Sequence, residues 1–499
     1  MKKVSFILGA VVGLVVVCRA AEMEMSTPEA EGVSSVAIGN WITACERELD
    51  ALHGFVIVRH GKTIAEGWWA PFSADHTHIL YSQSKSFIST AVGFLVDDGK
   101  LDLDARVADF FPGQVPPKAL PKFQALRVRD LLSMNTGNLR GEPELRHPAG
   151  DWLAQCLANP IAFDPGTRFL YDSGNTYMLA ALVEKVSGEK VMDLLGRRLF
   201  QPIGIEKAWS TTSPQGIACG GWGMNMTTRE LARFGLLLLQ EGRWGDRQVI
   251  SRDWVRLATS KQTFSRRGSV PDLHQGYGFQ FWRCRHNGYM AYGHLGQFLI
   301  VLPDQDAVIS LQGGLEPIEK ELDLVWKHLF PAMKSAPLPP DPVAARLLRE
   351  RTARLSLKPV RGEAAAFADA FGKTYDLRLK HRLGFKTVRL EERDEGCEIV
   401  FGRARGKEVR IPVGYGTWRE GVSVFEDATY ESLFSIIGNQ PTAASGAWKG
   451  RTFTFRAYLH ETFFRLDGTL TFKDDGRLSI ALNLWGRSGG WTRGTGQAR

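Results

Sequence analysis

Long apolar runs, single-sign charge tracts and metal-spaced cysteines are all scarce in this chain of 499 residues. The one extended apolar run, Val4 to Val17, follows Met1-Lys2-Lys3 and falls short of the roughly 20 residues that a transmembrane helix needs. Cys18-Arg19-Ala20 behind it offers small residues where a signal peptidase reads. The pattern therefore predicts a signal peptide over residues 1–20 and an exported protein, periplasmic or secreted, with no transmembrane span. A lipid anchor on Cys18 is the runner-up, disfavoured by bulky Val17. Cys45, Cys156, Cys219, Cys284 and Cys397 remain, an odd number without metal-ligand spacing. They read as buried thiols, with one pair left open, rather than as a disulfide framework, and nothing in them implies a metal or cofactor. Of the formal charge of +8, three positive residues (Lys2, Lys3 and Arg19) lie in the leader. The modest excess left forms no long basic tract, so no nucleic-acid partner is expected.

Against these absences stands Tyr81-Ser82-Gln83-Ser84-Lys85. Phe87, Ile88, Ala91, Val92, Leu95 and Val96 follow at helical spacing, and Gly99 supplies a stop. Residues three apart share a helix face, so the Lys85 amine should stand beside the Ser82 hydroxyl. A serine becomes a competent nucleophile when a neighbouring base takes its proton. The pattern alone is weak, because S-x-x-K should arise by chance roughly once or twice in a chain this long. Ser187-Gly188-Glu189-Lys190 repeats it, but at the end of an apolar helical run with Gly188 as cap, where it reads as a solvated helix end. For the first copy, the bland reading is Ser82 as an N-cap with Lys85 facing solvent.

The chain is long enough for two or more domains and is 44% hydrophobic. A helix is expected over Ser34–Leu52. A hairpin should pair Phe55–Val58 with Thr63–Glu66, and a second should pair Gln297–Leu302 with Ala307–Leu311. A helix-like stretch from Pro317 to Leu329 follows, and the segment between the hairpins is mostly helical. The predicted fold class is α/β (α+β), an antiparallel sheet built from both ends of the domain, flanked by helices, with an inserted helical lobe. Ser82 would lie where lobe and sheet meet. Pro337-Leu338-Pro339-Pro340-Asp341-Pro342 marks a linker, which divides the chain into a hydrolase-like domain over 21–335, a linker over 336–344 and a C-terminal β-rich domain over 345–499. Its candidate strands are Lys373–Leu379, Val388–Glu392, Glu398–Phe401, Val409–Val413, Ser432–Ile437, Thr452–Leu459, Phe463–Phe472 and Leu478–Leu484, a spacing that suggests a barrel or sandwich. Trp418, Trp448, Trp485 and Trp491 read as core or barrel-mouth aromatics.

Four further segments give the Ser82–Lys85 pair a context. Pro165 to Gly174 contains Tyr171-Asp172-Ser173 and leads into a helix from Asn175 to Val186. Gly220 to Phe234 carries Gly223-Met224-Asn225, read as structure near the site, and a Thr227/Glu230 capping box. Tyr292-Gly293-His294-Leu295-Gly296-Gln297 enters the second hairpin, and Leu131 to Gly137 is a helix end with a turn. In order and separation these resemble the beta-lactamase-related serine hydrolases over about residues 30 to 332. That family includes class C beta-lactamases, D-Ala-D-Ala carboxypeptidases, family VIII esterases and 6-aminohexanoate-dimer hydrolases. The resemblance implies Ser82 as the acylated nucleophile, Lys85 as its partner and Tyr171 in proton transfer with the lysine. It sets Ser173 where many relatives carry asparagine, and His294-Leu295-Gly296 where many carry Lys-Thr-Gly. Gly296 would let substrate approach the strand edge, and the oxyanion would be held by the backbone N–H groups of Ser82 and Gln297. The C-terminal domain resembles a lipocalin.

Either Lys85 or Tyr171 can be the general base, because coupled groups titrate as a unit. An unperturbed histidine is mostly neutral at pH 7. His294 therefore offers a substrate carboxylate less charge than lysine would, with Arg283 and Arg285 as candidate substitutes. Trp68, Trp69, Tyr277 and Trp282 are candidates for pocket lining or core. The expected function is hydrolysis of a small-molecule ester, amide or peptide through acyl-Ser82. The alternatives are a D-Ala-D-Ala carboxypeptidase or beta-lactamase, and a ligand-binding protein whose β domain captures ligand beside an inactive hydrolase site. Oligomeric state is left open.

Overall fold

The computed structural model describes residues 23–141, 145, 150–314, 317–363, 367–381, 383–404, 408–425, 438–485 and 490–499. The expected signal peptide and the candidate strand Ser432–Ile437 lie outside the described residues. The central element is a six-stranded antiparallel sheet. Its order is Lys62–Trp68, Leu52–Arg59, Ala307–Gly313, Gln297–Leu302, Tyr289–Gly293 and Trp282–Arg283, so both chain ends of the domain meet in it. Both expected hairpins are present, and Leu52–Arg59 pairs with Ala307–Gly313 to join them. The strands read as continuous apolar runs because both faces are covered. Phe55, Ile57, Phe298 and Ile300 pack under the helices Ser35–Glu48 and Ile318–Leu324. Val56, Val58, Leu299 and Val301 pack against the helices Ser84–Asp97 and Thr228–Leu239. Thr227 and Glu230 close the predicted capping box. The helix Pro342–Thr352 also belongs to this body: Leu348 joins the same core as Ile38 and Trp41. No described helix is long and apolar enough to cross a membrane.

Beyond it, nine strands form a closed ring. The neighbours run antiparallel except at closure, where Val413–Tyr415 pairs in parallel with Ala444–Gly446. A tenth strand, Arg419–Phe425, pairs with the first half of Gly438–Lys449. Lipocalins close eight strands around a ligand cavity. In this ring Phe385, Phe401, Trp448, Phe453, Phe455 and Phe472 are buried in one cluster and fill the inward positions. Three strands fall outside the expected set: Arg419–Phe425, Gly438–Lys449 and Thr492–Ala498. The physical reason is space. A Cβ at Gly446 would sit 2.6 Å from the Phe453 ring, and one at Gly494 would sit 2.6 Å from the Arg378 carbonyl. Small residues in Gly438–Lys449 and Thr492–Ala498 accommodate groups contributed by neighbours, so these two strands carry little apolar signal of their own. Trp448 is core, Trp418 and Trp485 donate to the Leu357 and Gly314 carbonyls, and Trp491 is exposed. All five cysteines among the described residues are free and buried.

Candidate active site

The serine does not cap the helix. Tyr81–Gln83 forms a single 3-10 turn and the α-helix begins at Ser84. Tyr81 is buried with φ +46°, a left-handed conformation that costs a bulky residue energy and turns the chain sharply just before Ser82. The turn is held from both sides. Leu80 N–H donates to the Met224 carbonyl and Met224 N–H donates to Ser84 Oγ, which gives the Gly223-Met224-Asn225 segment its structural role. Ser86 Oγ donates to the Gln280 carbonyl. On the other side Gly293 is indispensable, because a Cβ there would lie 2.1 Å from the Leu80 carbonyl.

Lys85 is 1% exposed, so the solvent-facing reading does not hold. Its Nζ donates to Ser82 Oγ at 3.2 Å, Ser173 Oγ at 3.0 Å and the Gly221 carbonyl at 2.7 Å. Gly221 was legible only as part of a Gly-Gly pair. A Cβ on it would meet Ser173 Cβ at 2.7 Å, so a glycine is what lets this carbonyl reach the ammonium. Ser173 is positioned by Asp172, the buried N-cap of the helix Ser173–Ser187. Its carboxylate accepts from Gly174 N–H at 2.7 Å and from Asn138 Nδ2 at 2.8 Å. Serine in place of asparagine thus still contacts Lys85, through one hydroxyl.

Tyr171 presents its ring to the same ammonium, with Lys85 Nζ 4.8 Å from the ring centre. Trp282 stacks on Tyr171 at 5.4 Å and Tyr277 meets it edge-on at 6.1 Å, so both belong to the wall of the site. Trp68 and Trp69 do not: they hydrogen-bond Thr228 and Glu46. Gln297 opens its strand opposite Gly293. Its side-chain amide donates to the Gly313 carbonyl at 2.6 Å and the Leu295 carbonyl at 3.1 Å, locking the His294-Leu295-Gly296 turn, where Leu295 and Gly296 take φ +61° and +84°. Burial and the Arg267 charge hold His294 down to about 4, so this histidine is neutral at pH 7. Arg283 and Arg285 are spent elsewhere. Arg283 binds the Asn287 carbonyl and side chain, and Arg285 pairs with Asp272 and Asp323.

One wall comes from the β domain, which no motif announced. Phe463, in the hairpin between Thr452–Leu459 and Arg465–Phe472, packs on Tyr81 at 5.2 Å and edge-on to His294 at 6.4 Å. The same face carries Thr77 donating to Glu461 and Arg465 paired with Asp50. It also buries His53, His78 and His460 around Phe72 and Tyr458.

This combination of sheet, helical lobe and serine–lysine turn defines a class. The Beta-lactamase family model matches residues 42–312, and the chain belongs to the beta-lactamase-related serine hydrolases. A 6-aminohexanoate-dimer hydrolase from Paenarthrobacter ureafaciens is 27% identical over 310 residues, 57% of this chain and 78% of that protein. A lovastatin esterase from Penicillium rubens is 23% identical over 168 residues, 29% of this chain and 42% of its own length. A solved structure of 6-aminohexanoate-dimer hydrolase type from Bacillus anthracis superposes with a TM-score of 0.53 at 18% identity, covering 64% of this chain and 90% of that one, which shows a shared fold.

Proposed function

We propose that this protein is an exported serine hydrolase that cleaves an ester or amide bond through an acyl-Ser82 intermediate. The observation that carries the reading is the buried Lys85 amine in hydrogen-bond reach of Ser82 Oγ, Ser173 Oγ and the Gly221 carbonyl. Proton transfer from a serine needs such a partner at hydrogen-bond distance, and burial keeps water from competing for it. Ser82 Oγ attacks the substrate carbonyl and its proton passes into the Lys85–Tyr171 pair. The tetrahedral intermediate collapses as that proton moves to the leaving oxygen or nitrogen. Water then attacks the acyl-serine carbonyl by the same route reversed, releasing the acid and restoring the Ser82 hydroxyl. The backbone N–H groups of Ser82 and Gln297 are the proposed oxyanion donors. Relatives named 6-aminohexanoate-dimer hydrolase and lovastatin esterase support a hydrolase of amide or ester bonds.

The ligand-capture alternative is disfavoured by the rings that fill the inward positions of the barrel. Export rests on the Met1–Ala20 pattern, and N-terminal sequencing of the secreted protein, expected to begin at Ala21, tests it. The decisive experiment on chemistry is a fluorophosphonate probe followed by peptide mass mapping. A single adduct on Ser82, absent from Ser82→Ala, is expected; a folded protein that takes no adduct there would overturn the reading.

A further inference from the structure

The irregular segment between Ser260 and the short turn Pro271–His274 holds a phenylalanine out in water by construction. Thr263 exchanges both backbone hydrogen bonds with Tyr277, a ring of the site wall. Ser265 is buried, its hydroxyl donating to the Leu273 carbonyl and accepting from Gly276 N–H. With both neighbours fixed, the backbone presents Phe264 outward, and it is 81% exposed. A lone exposed apolar residue is ordinary, but this one has company. Thr263 Oγ1 donates to the Asn135 side chain, and the Asn135 carbonyl accepts from Gly166 N–H at 2.7 Å. Phe163 N–H donates to the Gly137 carbonyl, and Leu139 N–H to the Pro160 carbonyl. Three loops are thereby tied together, and each carries an exposed apolar residue: Leu139, Phe163 and Phe264. Each also has a cation next to it in space or in sequence. Lys261 Nζ stands 3.8 Å from the centre of the Phe264 ring, and the Arg168 guanidinium 4.3 Å from that of Phe163. Arg140 follows Leu139, and Arg266 and Arg267 follow Ser265. These five cations are exposed, and among the described residues none has a carboxylate partner. The acid of the same loops, Asp164, is paired with Lys122.

We propose that this rim docks the protein on a bilayer that carries anionic lipid, with Phe264 entering the interface and the flanking cations meeting headgroup phosphates. Apolar insertion and basic charge are the two contributions that peripheral attachment to a lipid surface combines. An acidic polymer in water would satisfy the cations but leave Leu139 and Phe264 exposed, whereas a bilayer takes up both kinds of group. The position of the rim gives docking a consequence. The Arg267 guanidinium lies 4.1 Å from the centre of the Tyr171 ring, and Tyr277 backs Thr263, so two rings of the site wall adjoin the docking face. The partner is therefore a membrane surface, and an ester or amide held in it would be met there.

Vesicle co-sedimentation of the full chain tests the proposal. Phosphatidylcholine vesicles with about 30% phosphatidylglycerol should retain the protein at about 50 mM salt, and pure phosphatidylcholine vesicles should leave it in solution. Raising the salt to about 500 mM should release most of it, because screening shortens the reach of the cations. Phe264→Ser should lower the partition coefficient about five- to tenfold, and Lys261→Glu combined with Arg266→Glu by about tenfold or more. Val422→Ser, at another exposed apolar position on the barrel, should change nothing. Melting temperatures equal to wild type confirm that each variant is folded. Three results would overturn the proposal. One is no retention on the anionic vesicles. Another is retention that Phe264→Ser leaves intact, which would mean charge alone, as for a nucleic acid or an acidic protein. The third is a loss as large in Val422→Ser. Retention is read without turnover, so the outcome is independent of whether Ser82 is acylated.

Discussion

Ser82-Gln83-Ser84-Lys85 and Ser187-Gly188-Glu189-Lys190 share a pattern and almost nothing else. The first lysine is buried on three neutral oxygens and a tyrosine face. The second has a side chain 57% exposed, paired with Glu184 and reaching the Gly216 carbonyl. Gly188 takes φ +73° and ends its helix, so Ser187 and Lys190 leave in a turn. In the first copy the helix continues, and Gly221, Ser173 and Tyr171 close over it from distant parts of the chain. The difference between the two copies is thus a property of the enclosure: an ammonium in water is solvated, whereas one in a polar pocket is aimed.

The sharpest way to break this comparison is to remove each serine. Ser82→Ala should lower kcat on a nitrophenyl ester by at least about a thousandfold, while Ser187→Ala should leave it unchanged. Next come the lysines. Lys85→Met, similar in volume, should cost about a hundredfold or more in kcat, whereas Lys190→Ala should shift stability by less than about 0.5 kcal/mol in a urea melt. Gly221→Ala tests the enclosure itself. Crowding against Ser173 should cost about 1–3 kcal/mol of stability and lower kcat with it, with both read on the same protein.

The smallest effect is on pH dependence. Burial holds His78 down to about 4 and His460 to about 3, with His53 also well below its usual value. Both His460 ring nitrogens and His53 Nε2 lack hydrogen-bond partners among the described residues. The folded protein therefore keeps these rings neutral while the unfolded chain takes up protons below about pH 6.5. Stability should fall as pH drops from about 6.5 towards 4 and continue to fall towards 3. Calorimetric Tm across that range should show the slope, and His460→Phe should flatten it. His294, held near 4, should contribute no inflection to kcat/KM between pH 5 and 8.

Much of the fold was legible because its signals are local. Apolar strands covered on both faces, the Thr227–Glu230 box and the Gly188 cap each follow from a few adjacent residues. Two of the missed barrel strands, Gly438–Lys449 and Thr492–Ala498, were not legible, because their small residues answer to groups on other parts of the chain, such as the Phe453 ring and the Arg378 carbonyl. At the site, Ser82, Lys85, Tyr171 and Ser173 were named from motifs and do converge. Gly221 and Phe463 were missed as neighbours of the site, since a backbone carbonyl and a ring from another domain belong to no short pattern.

By itself the sequence determined the elements, their order and the residue types able to do acyl chemistry, because propensity, capping and periodicity act over a few residues. Tertiary structure alone decided which lysine is buried, which carbonyl and hydroxyls meet it, and which face the barrel covers. Those outcomes depend on which distant groups displace water around a charge, and burial and electrostatics are properties of the assembled surroundings.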